Sequence, residues 1–287
     1  MTDNDASLRS NSIPVFYTPR QVAHPNSYSP SPGKPAKVVA DWLAEGLPIE
    51  VIEPEPVTRE MLALAHDREF VDAILDSQRN NGFGERSRGV ADSLPWTSGS
   101  LLSAARAALQ NRRVAASPTS GFHHAGHARV SGFCTFNGLM VTALQLKTEG
   151  RIGRIGILDC DMHYGDGTQE IIETLKLDWV RHITIGRGYR AEARSFLARL
   201  PDLVRGFADC DVLLYQAGAD PHVDDPLGGF LTTDQLMQRD RIVFSLAQRI
   251  GLPVAWNLAG GYQEPLDGVL EIHRNTMMAA CGVLDLV

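Results

Sequence analysis

The feature that most constrains this chain is a set of short apolar runs, each of which stops at a polar turn. RIGRIGILD (151–159), VRHITIG (180–186), DVLLYQAGAD (211–220) and PVAWNLAGGY (253–262) read as strands running into loops. Longer segments with apolar residues at helical spacing alternate with them: KPAKVVADWLAEG (34–46), TREMLALAHDREFVDAILDSQ (58–78), GSLLSAARAALQNRR (99–113) and DQLMQRDRIVFSLAQRIG (234–251). This alternation predicts an α/β fold, a parallel sheet flanked by helices on both faces. The stretch RNNGFGERSRGVADSLPWTSG (79–99) has no strong periodicity and is expected to be a long loop on a functional rim.

A chain of 287 residues suits one α/β domain, expected here over 13–287. The first twelve residues, MTDNDASLRSNS, are polar and are expected to form a disordered tail. They lack the basic and apolar regions of a secretory signal, and no later apolar run reaches membrane-spanning length. A net charge of −7 argues against a nucleic-acid partner, because no stretch gathers Lys and Arg to read phosphates. Four cysteines with no CxxC pair suit a reducing compartment without structural disulfides. The expected location is cytoplasmic, with neither membrane nor nucleic acid as partner.

One run ends unusually. In GILDCDMHYGDGTQ (156–169), apolar residues lead into Asp159, Asp161, His163 and Asp166. Burying that much charge is costly unless it is paired or holds a metal. On an extended segment, side chains alternate, so Asp159, Asp161 and His163 share a face opposite Cys160 and Met162. Oxygen and nitrogen donors without a thiolate suit catalytic Zn²⁺, or Mn²⁺ or Fe²⁺. Asp220, ending another strand after small residues, is the best-placed further ligand. If the acids merely capped the helix over GTQEIIETL, one would suffice.

The tandem pair His123–His124 lies in PTSGFHHAGH (118–127), after the short apolar run RVAA. Ligands of open parallel sheets gather outside the carboxyl ends of the strands, so this turn is expected to meet the other strand ends at one rim. A metal-activated water requires a general base near neutral pH, which is histidine's range. Each histidine requires a carboxylate to fix its tautomer, and Asp159 and Asp166 remain once the metal is served.

With those residues assembled, GFHHA (121–125), GFCTFN (132–137), DCDMHYGDGTQ (159–169), GADPHVDDPLGG (218–229) and GGY (260–262) resemble, in order and character, the histone deacetylase and acetylpolyamine amidohydrolase family. HPNSYSPSPGKP (24–35) and LALAHDREFVDAIL (62–75) resemble its N-terminal region. The resemblance implies an arginase/deacetylase-like fold and a zinc-dependent hydrolase that removes an acetyl or other acyl group from an amine. Its substrate would be an acyl-lysine, an acetylpolyamine or a similar small amide. The resemblance assigns Asp161, His163 and Asp220 as zinc ligands, and His123 and His124 as the relay, partnered by Asp159 and Asp166. Tyr262 would donate to the substrate carbonyl, Phe133 would form an aromatic wall, and the Gly132 carbonyl would accept the amide N–H. It further implies a K⁺ ion near the backbone of Asp159, Asp161 and His163.

The chain also departs from the family pattern. PTSGF precedes the histidines where many relatives carry Arg-Pro-Pro-Gly, and Tyr164 stands where a second histidine is common. The stretch 185–211 lacks the long glycine-rich loop that usually supplies the channel's second aromatic wall, for which Tyr189 is the candidate substitute. Asp225 before Pro226 is expected to organise a turn. Two other functions compete: a binuclear manganese ureohydrolase, which typically shows DxHxD rather than DxDxH, and a non-catalytic acyl- or metal-binding homologue. The sequence leaves the oligomeric state open.

Overall fold

The structure is a computed structural model and describes residues 11–187 and 192–286. Among the described residues, seven parallel strands form one sheet: β1 (Ile13–Phe16), β2 (Ile49–Ile52), β3 (Val114–Ser117), β4 (Ile155–Asp159), β5 (Val180–Thr184), β6 (Val212–Gln216) and β7 (Val254–Asn257), in the order β2-β1-β3-β7-β6-β4-β5. The four centre strands are buried at every position, with patterns such as IGILD and VLLYQ, because a parallel sheet is covered on both sides.

Alternate strand residues enter two separate cores. Val114, Ala116, Leu158, Leu213, Tyr215, Val254 and Trp256 pack in one, while Ala115, Ile155, Ile157, Val212, Leu214 and Ala255 pack in the other. The first is closed by α1 (Lys34–Ala44), α7 (Ala193–Arg205), α8 (Thr233–Arg249) and α9 (Asp267–Val283), through residues such as Trp42, Phe196, Phe244 and Ile272. The second is closed by α2 (Arg59–Leu62), α3 (Arg68–Leu75), α4 (Arg88–Asn111), α5 (Gly138–Thr148) and α6 (Asp166–Leu175). The expected α/β architecture with helices on both faces is the one observed.

Two local expectations change. The stretch 79–99 is a loop only to Ser87; from Arg88 it is the first half of α4, which runs through Pro95. Pro95 and three glycines or serines near it hid the apolar stripe of Val90, Ala91 and Leu94, whose burial in the second core overrides the weak local propensity. Gly99 lies inside this helix because a Cβ there would stand 2.0 Å from the Glu55 carbonyl oxygen. The single helix expected over 58–78 is two, with Asp67 capping the second through a 2.9 Å bond to the Phe70 N–H.

Candidate active site

The centre strands β3, β7, β6 and β4 are neighbours, and the segments leaving their carboxyl ends carry the chemistry. His123 and His124 follow β3, Asp161 and His163 follow β4, Asp220 follows β6, and Tyr262 follows β7. A cavity of about 130 Å³ is lined by His123, His124, Phe133, Asp161, His163 and Tyr262, among others.

Donor atoms of Asp161, His163 and Asp220 all lie within 4.8 Å of one another. His163 Nδ1 is 3.1 Å from Asp161 Oδ1 and 3.0 Å from Asp220 Oδ2. Asp161 is 3 % exposed and Asp220 is 0 % exposed. Burial pushes the Asp220 carboxyl up to about 8, and the adjacent Asp161 carboxylate adds to the rise. Hydrogen bonds donated by its ring to Asp161 and Asp220 lift His163 to about 10. Two carboxyls this close in a dry site are relieved by protonation or by a cation between them, and the O,N,O donor set fits a divalent metal. The backbone is shaped around these acids: Gly260 N–H donates to Asp161 Oδ2 at 2.9 Å, and a Cβ on Gly260 would stand 2.5 Å from Asp220 Oδ2.

The tandem histidines are held as two separate pairs. His123 Nδ1 is 2.7 Å from Asp159 Oδ2, and His124 Nδ1 is 2.5 Å from Asp166 Oδ1. Burial alone would lower the His123 pKa, but the charges of Asp159 and Asp161 outweigh it and lift the ring to about 9. His124 moves the other way, below its ordinary value, through burial and the charge of His123. Adjacent rings, 4.0 Å apart at their centroids, thus favour opposite protonation states. Asp159 is itself fixed by the Gln216 amide at 2.8 Å. Asp166 opens α6 and is bonded by Arg129 Nη2 at 3.0 Å. Neither Gln216 nor Arg129 was flagged by the sequence, since both act across 37 or more positions.

Tyr262 reaches the cavity through a turn set by its glycines and by two side chains from elsewhere. Gly261 adopts φ of 143°, open to glycine and strained for other residues. Asp225 accepts the Tyr262 N–H at 2.8 Å and also the Leu227 N–H, so the turn expected at Asp225 also braces the tyrosine. The Lys34 ammonium, fully buried, donates to the Ala259 carbonyl at 2.6 Å, a link that no local pattern announced. Burial pushes the Tyr262 phenol well up, keeping it a proton donor.

Gly132 and Phe133 both take positive φ, 51° and 62°. A Cβ on Gly132 would stand 2.4 Å from the His124 ring, so only glycine fits against the imidazole. The Phe133 ring lies 6.0 Å from both Phe83 and Tyr262, and 5.4 Å from Tyr28, which is 81 % exposed at the rim. Tyr189, the candidate second wall, lies outside the described residues. His222 bonds Thr233 and the Asp224 N–H, and His66 joins Gly126 O to Asn137 N–H. All four cysteines are free and buried.

A family model for the histone deacetylase domain matches residues 30–185 and 174–271. The chain belongs to that family. It is accordingly a hydrolase of the deacetylase class, acting on amide bonds. An uncharacterized protein of Picosynechococcus is 29 % identical over 94 % of this chain and 99 % of its own length. Among solved structures, the HD domain of HDA15 superposes with a TM-score of 0.79 at 21 % identity, covering 95 % of this chain and 94 % of that one. An acetylpolyamine aminohydrolase from Burkholderia pseudomallei gives 0.73 at 22 % identity, covering 94 % and 99 %. These two likenesses establish the arginase/deacetylase-like fold. Among the described residues, no helix is long and apolar enough to cross a membrane.

Proposed function

We propose that this deacetylase-family protein is a zinc-dependent amide hydrolase that removes an acetyl or other acyl group from an acyl-lysine, an acetylpolyamine or a similar small amide. The observation that carries the reading is one cavity lined by Asp161, His163, the tandem histidines and Tyr262, with the buried Asp220 carboxylate within 4.8 Å of the Asp161 and His163 donor atoms. In this reading Asp161, His163 and Asp220 would hold Zn²⁺, and the backbone near Asp159, Asp161 and His163 would hold a K⁺ ion. When bound, zinc supplies Lewis-acid polarisation of the acyl carbonyl and of water.

The remaining chemistry falls to the chain. His124, the less basic imidazole, takes the proton of the attacking water, and Asp166 steadies the imidazolium that results. The water oxygen bonds to the acyl carbon, and the Tyr262 hydroxyl donates to the oxyanion as it forms. Gly132 O accepts the substrate N–H and Phe133 flanks the acyl-bearing chain. The carbon–nitrogen bond then breaks as an imidazolium of the tandem pair protonates the leaving amine, giving a carboxylate and a free amine. His123, paired with Asp159, contributes positive charge beside the reacting centre.

A binuclear manganese ureohydrolase is not favoured. The matching family model is a deacetylase model, and among the described residues the one group of three or more acid, histidine or cysteine side chains placed to hold a metal is the triad. The test is hydrolysis of acetyl-lysine peptides, acetylated polyamines and simple acyl amides by zinc-loaded protein. Turnover of at least one, abolished by chelation and restored by Zn²⁺, is expected. No turnover across the panel would favour the non-catalytic homologue.

A further inference from the structure

Arg239 is a charged residue with no place in the chemistry above, yet it is 0 % exposed. It lies on α8, which contributes no residue to the catalytic cavity. Its Nη1 reaches two backbone carbonyls, Gly218 O at 2.7 Å and Cys160 O at 3.3 Å. Cys160 immediately precedes Asp161, and Gly218 stands two residues before Asp220. One guanidinium therefore ties together, from behind, the segments that present the two carboxylates. Space there is tight: a Cβ on Gly218 would stand 2.6 Å from Asp220 Oδ1 and 2.9 Å from the Asp161 Cα.

The guanidinium is itself anchored. Arg239 Nε donates to Asp240 Oδ1 at 2.8 Å, and Asp240 also accepts the Tyr215 hydroxyl from β6 and Thr276 Oγ1 from α9, the latter at 2.6 Å. A buried ion pair is weak ground for stability, since apolar residues of similar volume often serve as well. What an apolar pair cannot do is hydrogen-bond the carbonyls of two neighbouring loops. A planar, permanently charged fork can.

We propose that Arg239 is a positioning residue for the metal site, setting the separation of Asp161 and Asp220 by holding the Cys160 and Gly218 carbonyls. This rests on the Asp161–His163–Asp220 reading above. Outer partners that orient ligands typically account for about 10- to 100-fold in metal affinity. The experiment is competition of the apo-protein against a chromogenic chelator for Zn²⁺, with the Co²⁺ absorption spectrum as a second readout.

R239K retains the charge and loses the fork, R239M/D240N removes the pair without leaving a lone buried charge, and T276V loosens the Asp240 anchor alone. R239K and R239M/D240N are expected to bind Zn²⁺ about 10- to 100-fold more weakly with an altered Co²⁺ spectrum, and T276V a few-fold more weakly. Parent affinity and an unchanged spectrum in whichever of these variants fold, as judged by circular dichroism, would overturn the proposal. Asp161→Ala controls for the site itself. If that variant keeps the parent's affinity, the metal-site reading fails, whatever the Arg239 variants show.

Discussion

Replacing Tyr262 with Phe removes one oxygen from a side chain whose position does not depend on it. The Asp225 carboxylate holds the Tyr262 N–H at 2.8 Å, and the ring stands 6.0 Å from that of Phe133, so backbone and ring contacts both survive. What is lost is one donor to the oxyanion, a change usually costing about 10²–10³ in kcat, or about 2.7–4 kcal/mol. Burial, with the charges of Asp161 and Asp220, holds the phenol pKa up, so the hydroxyl is protonated and able to donate. KM should change much less, because the bond strengthens only as charge develops. The assay is steady-state turnover of the best amide from the substrate panel, with zinc content and thermal midpoint measured on the same sample. Parent-like kcat in a folded, zinc-loaded variant would return Tyr262 to a packing role.

Three further outcomes are expected. His124→Ala should keep zinc but lower kcat by about 10²–10⁴, the range for losing a general base; parent-like rates across pH would move the base elsewhere. Asp161→Ala, His163→Ala and Asp220→Ala should each strip the metal while the fold persists, and full zinc occupancy by elemental analysis in all three would contradict the ligand set. His66, 1 % exposed and remote from the metal ligands in sequence, is lowered by burial to about 4 from 6.5. The unfolded chain therefore binds more protons between those values, so His66 contributes on the order of 3 kcal/mol above pH 6.5 that fades as pH falls towards 4. Chemical denaturation should show the stability gap between parent and His66→Gln shrinking over that interval, and a gap independent of pH would refute it.

Local patterns carried much of this protein. Runs such as GILD and VLLYQ specify a sheet buried on both faces because a parallel strand has no wet side to mark with polar residues. The polar residues where those runs stop had to sit at the carboxyl ends of the strands. The spacing of Asp159, Asp161, His163 and Asp166 is a property of one contiguous segment and was readable there. Even Arg239–Asp240 left a trace, because both fall on the buried stripe of α8 with Leu236, Val243, Phe244 and Ala247. An ion pair on an apolar stripe implies a partner inside the molecule, but not which one.

Only the tertiary structure decided the partners. Helix periodicity failed over 88–99 because Pro95 and the small residues around it weaken the local signal, whereas packing against the second core overrides it. Lys34 meets Ala259 across 225 positions, Arg129 meets Asp166 across 37, and Arg239 meets Cys160 across 79. Such contacts are set by strand order and helix packing, which bring distant segments within 3 Å or so. Sequence spacing specifies which side chains share a segment and a face; it holds no term for the segment that folds against them.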